Sequence, residues 1–334
     1  MIVFTVMLSS FAFYGWQIIY APNILVDKND QLFAIPKNTT FKELQNSLYD
    51  QNIVNDLVSF SFLAKLKKYD RLIKPGMYML RKDMSNMEVI NLLRSGSQTP
   101  ITLTYTSARK LEELPAKIAR SMAFTESEMA QLLLHDTTAT WYGFDSLTFL
   151  SMFIPNSYQV YWTEEPHEIL DRMKKEYNRY WNDDRVKKSK EIGLSQTEVS
   201  ILASIVEGET NKMDEAPLIA GVYMNRLKRR IKLQADPTLI YATGDFTIRR
   251  VLNKHKEIES PYNTYKYYGL PPGPINMPSI AALDAVLNHK NHSFIYFCAS
   301  ADFSGYHVFA STLSEHNQNA RKFQNALDLQ QIFK

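Results

Sequence analysis

The chain has 334 residues, 45% hydrophobic and 22% charged, so it is long enough for more than one domain and is not globally disordered. A net charge of +3, with no dense basic stripe, gives no support for nucleic-acid binding. The single cysteine, Cys298, excludes an internal disulfide, and the seven histidines lack the spacing of a zinc site. We therefore expect no metal, no cofactor and no nucleic-acid partner.

The first twenty residues, MIVFTVMLSSFAFYGWQIIY, carry no charged side chain. This length is enough to cross the hydrocarbon core of a bilayer, and aromatic residues cluster toward one end, as at a membrane interface. A cleaved signal peptide is one alternative, but the basic start is missing and Tyr20-Ala21-Pro22 is a poor cleavage site. A buried core helix is another, although residues 21–30 turn abruptly polar. We predict a transmembrane anchor over residues 1–22.

Residues 31–98 are predicted to form a small α/β unit. A strand over 32–36 is followed by a capping box at 39–43, which opens a helix. Helical apolar spacing continues to Ala64, a second strand covers 77–80, and a further helix covers 85–94. The order strand, helix, helix, strand resembles in its topology a LysM-like carbohydrate-binding module.

Residues 99–190 are predicted to form a linking α+β region. An alternating run over 101–105 indicates a strand, and the irregular stretch 153–158 indicates a loop. Helical patterns fall on residues 110–122, 126–134 and 167–181.

A third region, residues 191–334, contains an apolar helix that ends in an acid. The capping box from Ser195 to Glu198 predicts a helix start at Gln196, and its apolar face runs to Val206. Glu207 follows in the last turn, where the helix dipole and apolar neighbours disfavour an anion and would keep the acid protonated near neutrality. A general acid needs this property. The ordinary alternative is a surface glutamate that ends a helix, and periodicity alone favours it.

Polar residues recur in the segments that follow. We predict a second helix carrying Asn225, an extended loop over 233–238, and a turn over 261–265. The proline-rich segment 269–275 cannot be helix or central strand, and 294–299 and 306–309 form a hairpin from which His307 projects. Taken singly, each feature is typical of turns, caps and core groups.

Taken together, these motifs resemble the endolytic murein transglycosylase family, the MltG or YceG-like proteins. In chain order they are 203–210 (ASIVEGET), 225–227 (NRL), 233–237 (LQADP), 262–265 (YNTY), 269–275 (GLPPGPI) and 307–309 (HVF) with 315–317 (EHN). The close resemblance covers about residues 195–322. It implies a mixed α+β fold with a catalytic domain over 191–334. This chain departs from the family at Gly208, where lysine is common, at Ala235, where serine or threonine is usual, and at Asn156, where aspartate is usual.

The resemblance implies cleavage of the bond between N-acetylmuramic acid and N-acetylglucosamine in peptidoglycan, with formation of 1,6-anhydro ends. The sugar's own 6-hydroxyl replaces water, so one carboxyl group can act as acid and then as base. By resemblance this group is Glu207. Glu209 could be the acid instead, or could keep Glu207 protonated through like-charge repulsion. The expected substrate-binding residues are Gln234, Asp236, Asn263, Tyr265, Glu209, Asn225 and His307.

The resemblance also implies a location and partners. We expect a single-pass protein of the inner membrane with its catalytic domain on the extracytoplasmic, periplasmic side. Its partners would be peptidoglycan glycan strands and, at the membrane, peptidoglycan synthases. Two alternatives remain open: a catalytically silent glycan-binding scaffold of the wall-synthesis machinery, and a hydrolase of lysozyme type acting on the same polymer.

Overall fold

The structure, a computed structural model, describes residues 2–26, 30–248 and 250–329. Met1 of the predicted anchor, and Arg249 and residues 330–334 of the predicted catalytic region, lie outside the described residues. The chain divides into two compact units. The first comprises Met1–Leu103, Ile118–Glu126 and Ser157–Pro166, and the second comprises Thr104–Lys117, Ser127–Asn156 and His167–Lys334. Helices and strands are mixed along the chain, so the predicted α+β class is confirmed.

The first unit begins with α1 (Ile2–Tyr20), an uncharged apolar helix of 19 residues. It is long and apolar enough to cross a membrane, a test that a signal sequence also passes. Most of its side chains are exposed, but Ile18 and Ile19 near its end pack against the core of this unit.

That core is built by two strands and three helices: β1 (Gln31–Ile35), α2 (Phe41–Asp50), α3 (Leu57–Leu66), β2 (Gly76–Leu80) and α4 (Asn86–Ser95). The strands pair antiparallel, with Phe33 opposite Tyr78, and both rings are buried with apolar side chains of the helices. Capping boxes at Thr40 and Ser85 start α2 and α4 because each hydroxyl accepts a helical N–H. The predicted order of elements is confirmed.

Two expectations in the linking region need correction. The helix predicted over 110–122 is confirmed only in part: it comprises a 3-10 helix, Leu111–Glu113, continued by α5 (Leu114–Ala119), and it ends before residue 122. Pro115 lies in the first turn of α5, where its missing N–H costs nothing, and this favours the later start. The predicted loop over 153–158 contains the start of β4 (Asn156–Val160), which pairs with β3 (Ile101–Tyr105). The strand partner is distant in sequence, so the local pattern did not reveal it.

The helices of the second unit surround α10 (Gln196–Glu209), whose residues from Val199 to Val206 are all buried. Its capping box at Ser195 confirms the predicted start. It packs against α11 (Ala216–Lys228), α12 (Asp236–Thr243) and α14 (Ile280–Leu287). The remaining helices are α6 (Glu126–Leu133), α7 (Thr138–Trp141), α8 (Pro166–Tyr180), α9 (Asp183–Glu191), α13 (Asn253–Lys256) and α15 (Leu313–Leu329).

The segment after α11 also differs from expectation. The extended loop predicted over 233–238 ends at Ala235, and α12 begins at Asp236. Pro237 occupies the first turn of α12, a position where proline favours a helix. The predicted hairpin is confirmed as β5 (Tyr296–Ala299) paired antiparallel with β6 (His307–Ala310), with Ala299 opposite His307.

Candidate active site

Glu207 lies at the end of α10, where the buried face of that helix meets the surface. Its side chain is partly buried, and its two carboxylate oxygens lie 3.3 and 3.2 Å from the backbone nitrogen of Ser279. Ser279 is the N-cap residue of α14. This contact orients the Glu207 carboxyl group at the N-terminal end of α14, while its own helix, α10, ends beside it. The acid therefore lies between two helix ends of opposite polarity.

The proline-rich segment lies against the same helix. The backbone N–H of Ile275 donates to the hydroxyl of Ser204 at 3.0 Å, and the Asn276 amide donates to the Ser204 carbonyl at 3.2 Å. Gly273 packs so closely that a Cβ there would lie 2.1 Å from the carbonyl oxygen of Leu147. These contacts place residues 273–276 one helical turn before Glu207 on α10.

Glu209 lies in a cluster of charged and phenolic groups. The Tyr223 hydroxyl donates to its Oε1 at 2.5 Å. Burial raises the pKa of Glu209 to about 7, with a further rise from the charge of Asp236, while the Tyr223 hydrogen bond and the positive charge of Arg226 oppose the rise. Asp236 in turn accepts a 2.6 Å hydrogen bond from Tyr265. Glu209 is thus a carboxyl group that titrates near neutrality.

Arg226 is the buried cation of this cluster and was not among the expected site residues. Its Nε donates to the Ile295 carbonyl at 2.6 Å, and its Nη1 donates to the Leu233 carbonyl at 2.7 Å. Nη1 also lies 3.5 Å from Oε1 of Gln234. The sequence signal that could have identified Arg226 is its position inside an otherwise apolar helix. A charge buried there needs several hydrogen-bonding partners.

Gln234 presents its side chain to solvent from an unusual backbone conformation. Its φ of 52° lies in the left-handed region, which residues other than glycine seldom adopt. Backbone bonds stabilise it: the N–H of Gln234 donates to the Thr264 carbonyl at 3.1 Å, and that of Ala235 donates to the Thr264 hydroxyl at 3.0 Å. Conformations of this kind cluster at functional sites.

The two predicted asparagines use their amides to hold backbone in place. Asn225 donates to two carbonyls beyond α14, those of His292 and Phe294, at 2.8 and 2.9 Å. Asn263 is fully buried and donates to the carbonyls of Lys256 and Ile258, at 2.9 and 2.8 Å. Its oxygen accepts the N–H of Tyr265 at 3.0 Å. A substrate contact from either residue stays a prediction.

His307 lies on β6 and pairs with a buried carboxylate. Its Nδ1 is 2.8 Å from Oε1 of Glu215, and its backbone N–H donates to Oε2 at 3.0 Å. Glu215 was not among the expected site residues. The signal was weak, since a single acid ahead of a helix is usually a cap.

The structure thus brings four predicted residues, Glu209, Gln234, Asp236 and Tyr265, around Arg226. Glu207 lies close to this cluster because the next residue, Gly208, packs against Pro237, the neighbour of Asp236. A Cβ on Gly208 would lie 2.7 Å from Cβ of Pro237. Asn225 instead contacts the backbone carbonyls of His292 and Phe294, and His307 contacts the carboxylate of Glu215. Across the described ranges, no three His, Cys, Asp or Glu side chains are grouped as metal ligands would be.

Similarity to known proteins bears on this site. The chain is 27% identical over 369 residues to the endolytic murein transglycosylase of Streptococcus pneumoniae serotype 2 (strain D39), covering 97% of this chain and 64% of that protein. It is 28% identical over 332 residues to the Bacillus subtilis (strain 168) protein of the same name, covering 92% of this chain and 90% of that protein. This chain therefore spans less than two thirds of the streptococcal relative.

A solved structure is also similar. The 2.6 Å crystal structure of a yceG-like protein from Listeria monocytogenes matches with a TM-score of 0.56 at 25% identity, covering 87% of this chain and 99% of that one. A sequence profile described as the YceG-like family matches residues 33–322, which is most of the chain and includes every candidate site residue. The chain therefore belongs to the YceG-like family.

Proposed function

We propose that this chain is an endolytic lytic transglycosylase that cleaves N-acetylmuramic acid–N-acetylglucosamine bonds in peptidoglycan and leaves 1,6-anhydro ends. Family membership and the names of the relatives support the reaction class. The observation that carries the proposal is the placement of Glu207, a partly exposed carboxyl group at the end of a buried helix, oriented by the Ser279 N–H.

One carboxyl group is enough for the proposed reaction. Glu207 gives its proton to the glycosidic oxygen as the bond to C1 breaks, and C1 becomes oxocarbenium-like. The 6-hydroxyl oxygen of the same sugar then bonds to C1, and its proton passes to the Glu207 carboxylate. The internal nucleophile has a high effective molarity, which removes the need for a second carboxylate to activate water.

Other residues of the cluster have supporting roles in this proposal. Asp236 is exposed and stabilises positive charge at C1, while Gln234 and Tyr265 hydrogen-bond sugar hydroxyl or N-acetyl groups. Glu209 is the second candidate acid, favoured by its pKa of about 7. Its partial enclosure by Tyr223 favours Glu207 as the group that reaches the substrate. Asn225, Asn263 and His307 shape the backbone around the bound glycan.

We further propose that α1 anchors the protein in the membrane with residues 191–334 as an extracytoplasmic catalytic domain. Residues 31–98 form a LysM-like module, and 99–190 link the two. Release of nascent strands at the membrane would bring the enzyme close to peptidoglycan synthases. The length and apolar character of α1 and the order of elements in the first unit support this arrangement.

Product analysis tests the proposal. The full chain in detergent is incubated with purified glycan strands, and the products are examined by mass spectrometry. We expect anhydro ends, and their loss by about 10³-fold in Glu207→Gln because the proton donor is removed. Glu191→Gln, an exposed glutamate at the end of α9, is the matched control and should keep full activity.

Each other outcome points to a different function. Reducing ends in place of anhydro ends would indicate a hydrolase. No cleavage by the folded wild type, with glycan binding retained, would indicate a scaffold. Loss of activity in Glu209→Gln with activity retained in Glu207→Gln would make Glu209 the acid.

A further inference from the structure

Helix α3 in the first unit has an apolar face that points away from the core. Its buried side carries Phe60, Leu63 and Ala64. On the other side Val58, Phe62 and Leu66 are 79%, 59% and 66% exposed. Residues four apart lie on one face of a helix, where a soluble protein usually places polar side chains. The three side chains therefore form a continuous apolar stripe.

The start of α3 is hydrogen-bonded to the chain as it leaves α1. The buried Asn86 amide donates to the Ile18 carbonyl at 2.9 Å and to the Ser59 hydroxyl at 3.0 Å. Asn23 donates to the Asp56 carbonyl at 3.0 Å and accepts the Asp56 N–H at 2.7 Å. These bonds hold the first turn of α3 beside the end of α1, where its interfacial aromatic residues cluster.

Basic residues follow the stripe. Lys65 and Lys68 are exposed, Lys67 is half-buried, and the Arg71 side chain just beyond them is 82% exposed. A cluster of cations next to an apolar stripe is typical of helices that lie in the interface of an anionic membrane.

We propose that α3 is a second membrane-contact element, lying in the interface beside α1. Its apolar stripe enters the boundary between headgroups and acyl chains, and its lysines bind anionic phospholipid headgroups. The inference rests on α1 crossing the membrane as proposed above. The contact between α3 and the lipid restricts the orientation of the first unit relative to the bilayer surface, which α1 alone would leave variable.

Site-specific labels test the contact in the full chain. Cys298→Ser removes the native thiol, and Phe62→Cys carries an environment-sensitive fluorophore. Leu32→Cys is the matched control, because Leu32 is 46% exposed and alternates with the buried Phe33, so it points to the sheet face opposite the helices. A third label at Phe11→Cys reports on α1. Each protein is placed, one chain per disc, in nanodiscs of phosphatidylglycerol and phosphatidylethanolamine.

We expect doxyl-labelled lipids to quench the labels at positions 11 and 62 but not at 32. Acrylamide in the water should quench the label at 62 about threefold less than the label at 32. Quenching by lipid at 11 but not at 62 would overturn the α3 contact while leaving the anchor intact. No lipid quenching at 11 would overturn both.

Two further experiments test whether lipid or a second copy covers the apolar stripe, and whether the lysines bind anionic headgroups. Protection at position 62 that appears only with two chains per disc would make a second copy the occupant and overturn the lipid contact. Replacing Lys65, Lys67 and Lys68 by glutamate should raise acrylamide quenching at 62 in discs with phosphatidylglycerol and not in phosphatidylcholine alone. An equal effect in both lipids would overturn the assignment to anionic headgroups.

Discussion

His307 and Glu215 form a close pair, with Nδ1 of the imidazole 2.8 Å from Oε1 of the carboxylate. The same Oε1 accepts a 2.7 Å hydrogen bond from the hydroxyl of Thr210, the residue that follows α10. One buried carboxylate thus joins β6 to the end of the helix that carries both candidate acids. The pair is a structural clamp on the site.

Removing this clamp should destabilise the second unit. Glu215→Ala leaves the Thr210 hydroxyl and two N–H groups of His307 without their acceptor, and we expect a loss of about 2–4 kcal/mol. The midpoint of thermal unfolding checks this. Asp214→Asn is the control, because its exposed carboxylate accepts a single bond from Tyr306. Equal midpoints for the two variants would show that Glu215 has no clamping role.

The Ser279 N–H can be removed without removing Glu207. Ser279→Pro deletes this donor, and the φ of −65° at this position suits proline. Ser279→Ala keeps the donor and loses only the hydroxyl cap on the Ala282 N–H. We expect glycan cleavage to fall about 10–100-fold in the proline variant and by less than about threefold in the alanine variant, since orientation of the acid is lost only in the first. Similar rates in the two variants would exclude an orienting role for this hydrogen bond.

Glu209 should make stability depend on pH. Its pKa is raised from about 4.5 to about 7, so the folded protein binds a proton that the unfolded chain has released between these values. The contribution of Glu209 to the free energy of unfolding is therefore fully present below about pH 4.5 and is lost as the pH rises through about 7. The change is up to about 3 kcal/mol. Burial raises the pKa of the facing Tyr223 hydroxyl, so this group stays neutral through the window, and the Arg226 guanidinium stays protonated.

Thermal unfolding of wild type and Glu209→Gln checks this linkage. Between about pH 5 and about pH 7.5 the wild-type midpoint should fall relative to that of the variant. In Tyr223→Phe the Glu209 anion loses a hydrogen-bond donor, so the unfolding midpoint should fall more steeply with pH than it does in wild type. Parallel curves for wild type and Glu209→Gln would contradict a perturbed Glu209.

Gly208 allows α12 to approach α10. A Cβ there would lie 2.7 Å from Cβ and 3.0 Å from Cγ of Pro237, and the rigid ring cannot move aside. We expect Gly208→Ala to cost about 1–3 kcal/mol, more than the roughly 1 kcal/mol gained in helix propensity, and to slow cleavage by shifting Asp236. Thermal unfolding and product yield are the measurements. Gly15→Ala, with no atom within 4 Å of the added Cβ, should neither lower the unfolding midpoint nor slow cleavage. A Gly208→Ala variant as stable and as active as wild type would refute the close approach.

Local signals in the sequence were enough for several elements. The capping boxes at Thr40 and Ser195 predicted the starts of α2 and α10, because a hydroxyl and an acid three residues on satisfy helix N–H groups regardless of tertiary context. The apolar N-terminal helix and the β5–β6 hairpin followed from length and alternation. The start of α12 at Asp236 was missed, since a proline reads equally as a loop residue and as the first turn of a helix.

Helical periodicity and the capping box predict from the chain alone that Glu207 and Glu209 end the apolar helix, because they set the positions of both acids relative to its buried face. The groups that each acid contacts depend on how the helices pack. Ser279 hydrogen-bonds to Glu207 across 72 residues of chain, and Tyr223 hydrogen-bonds to Glu209 across 14 residues. Arg226 acts on Glu209 through its positive charge. Desolvation and hydrogen bonding depend on these neighbours in space, which no local pattern of residues encodes.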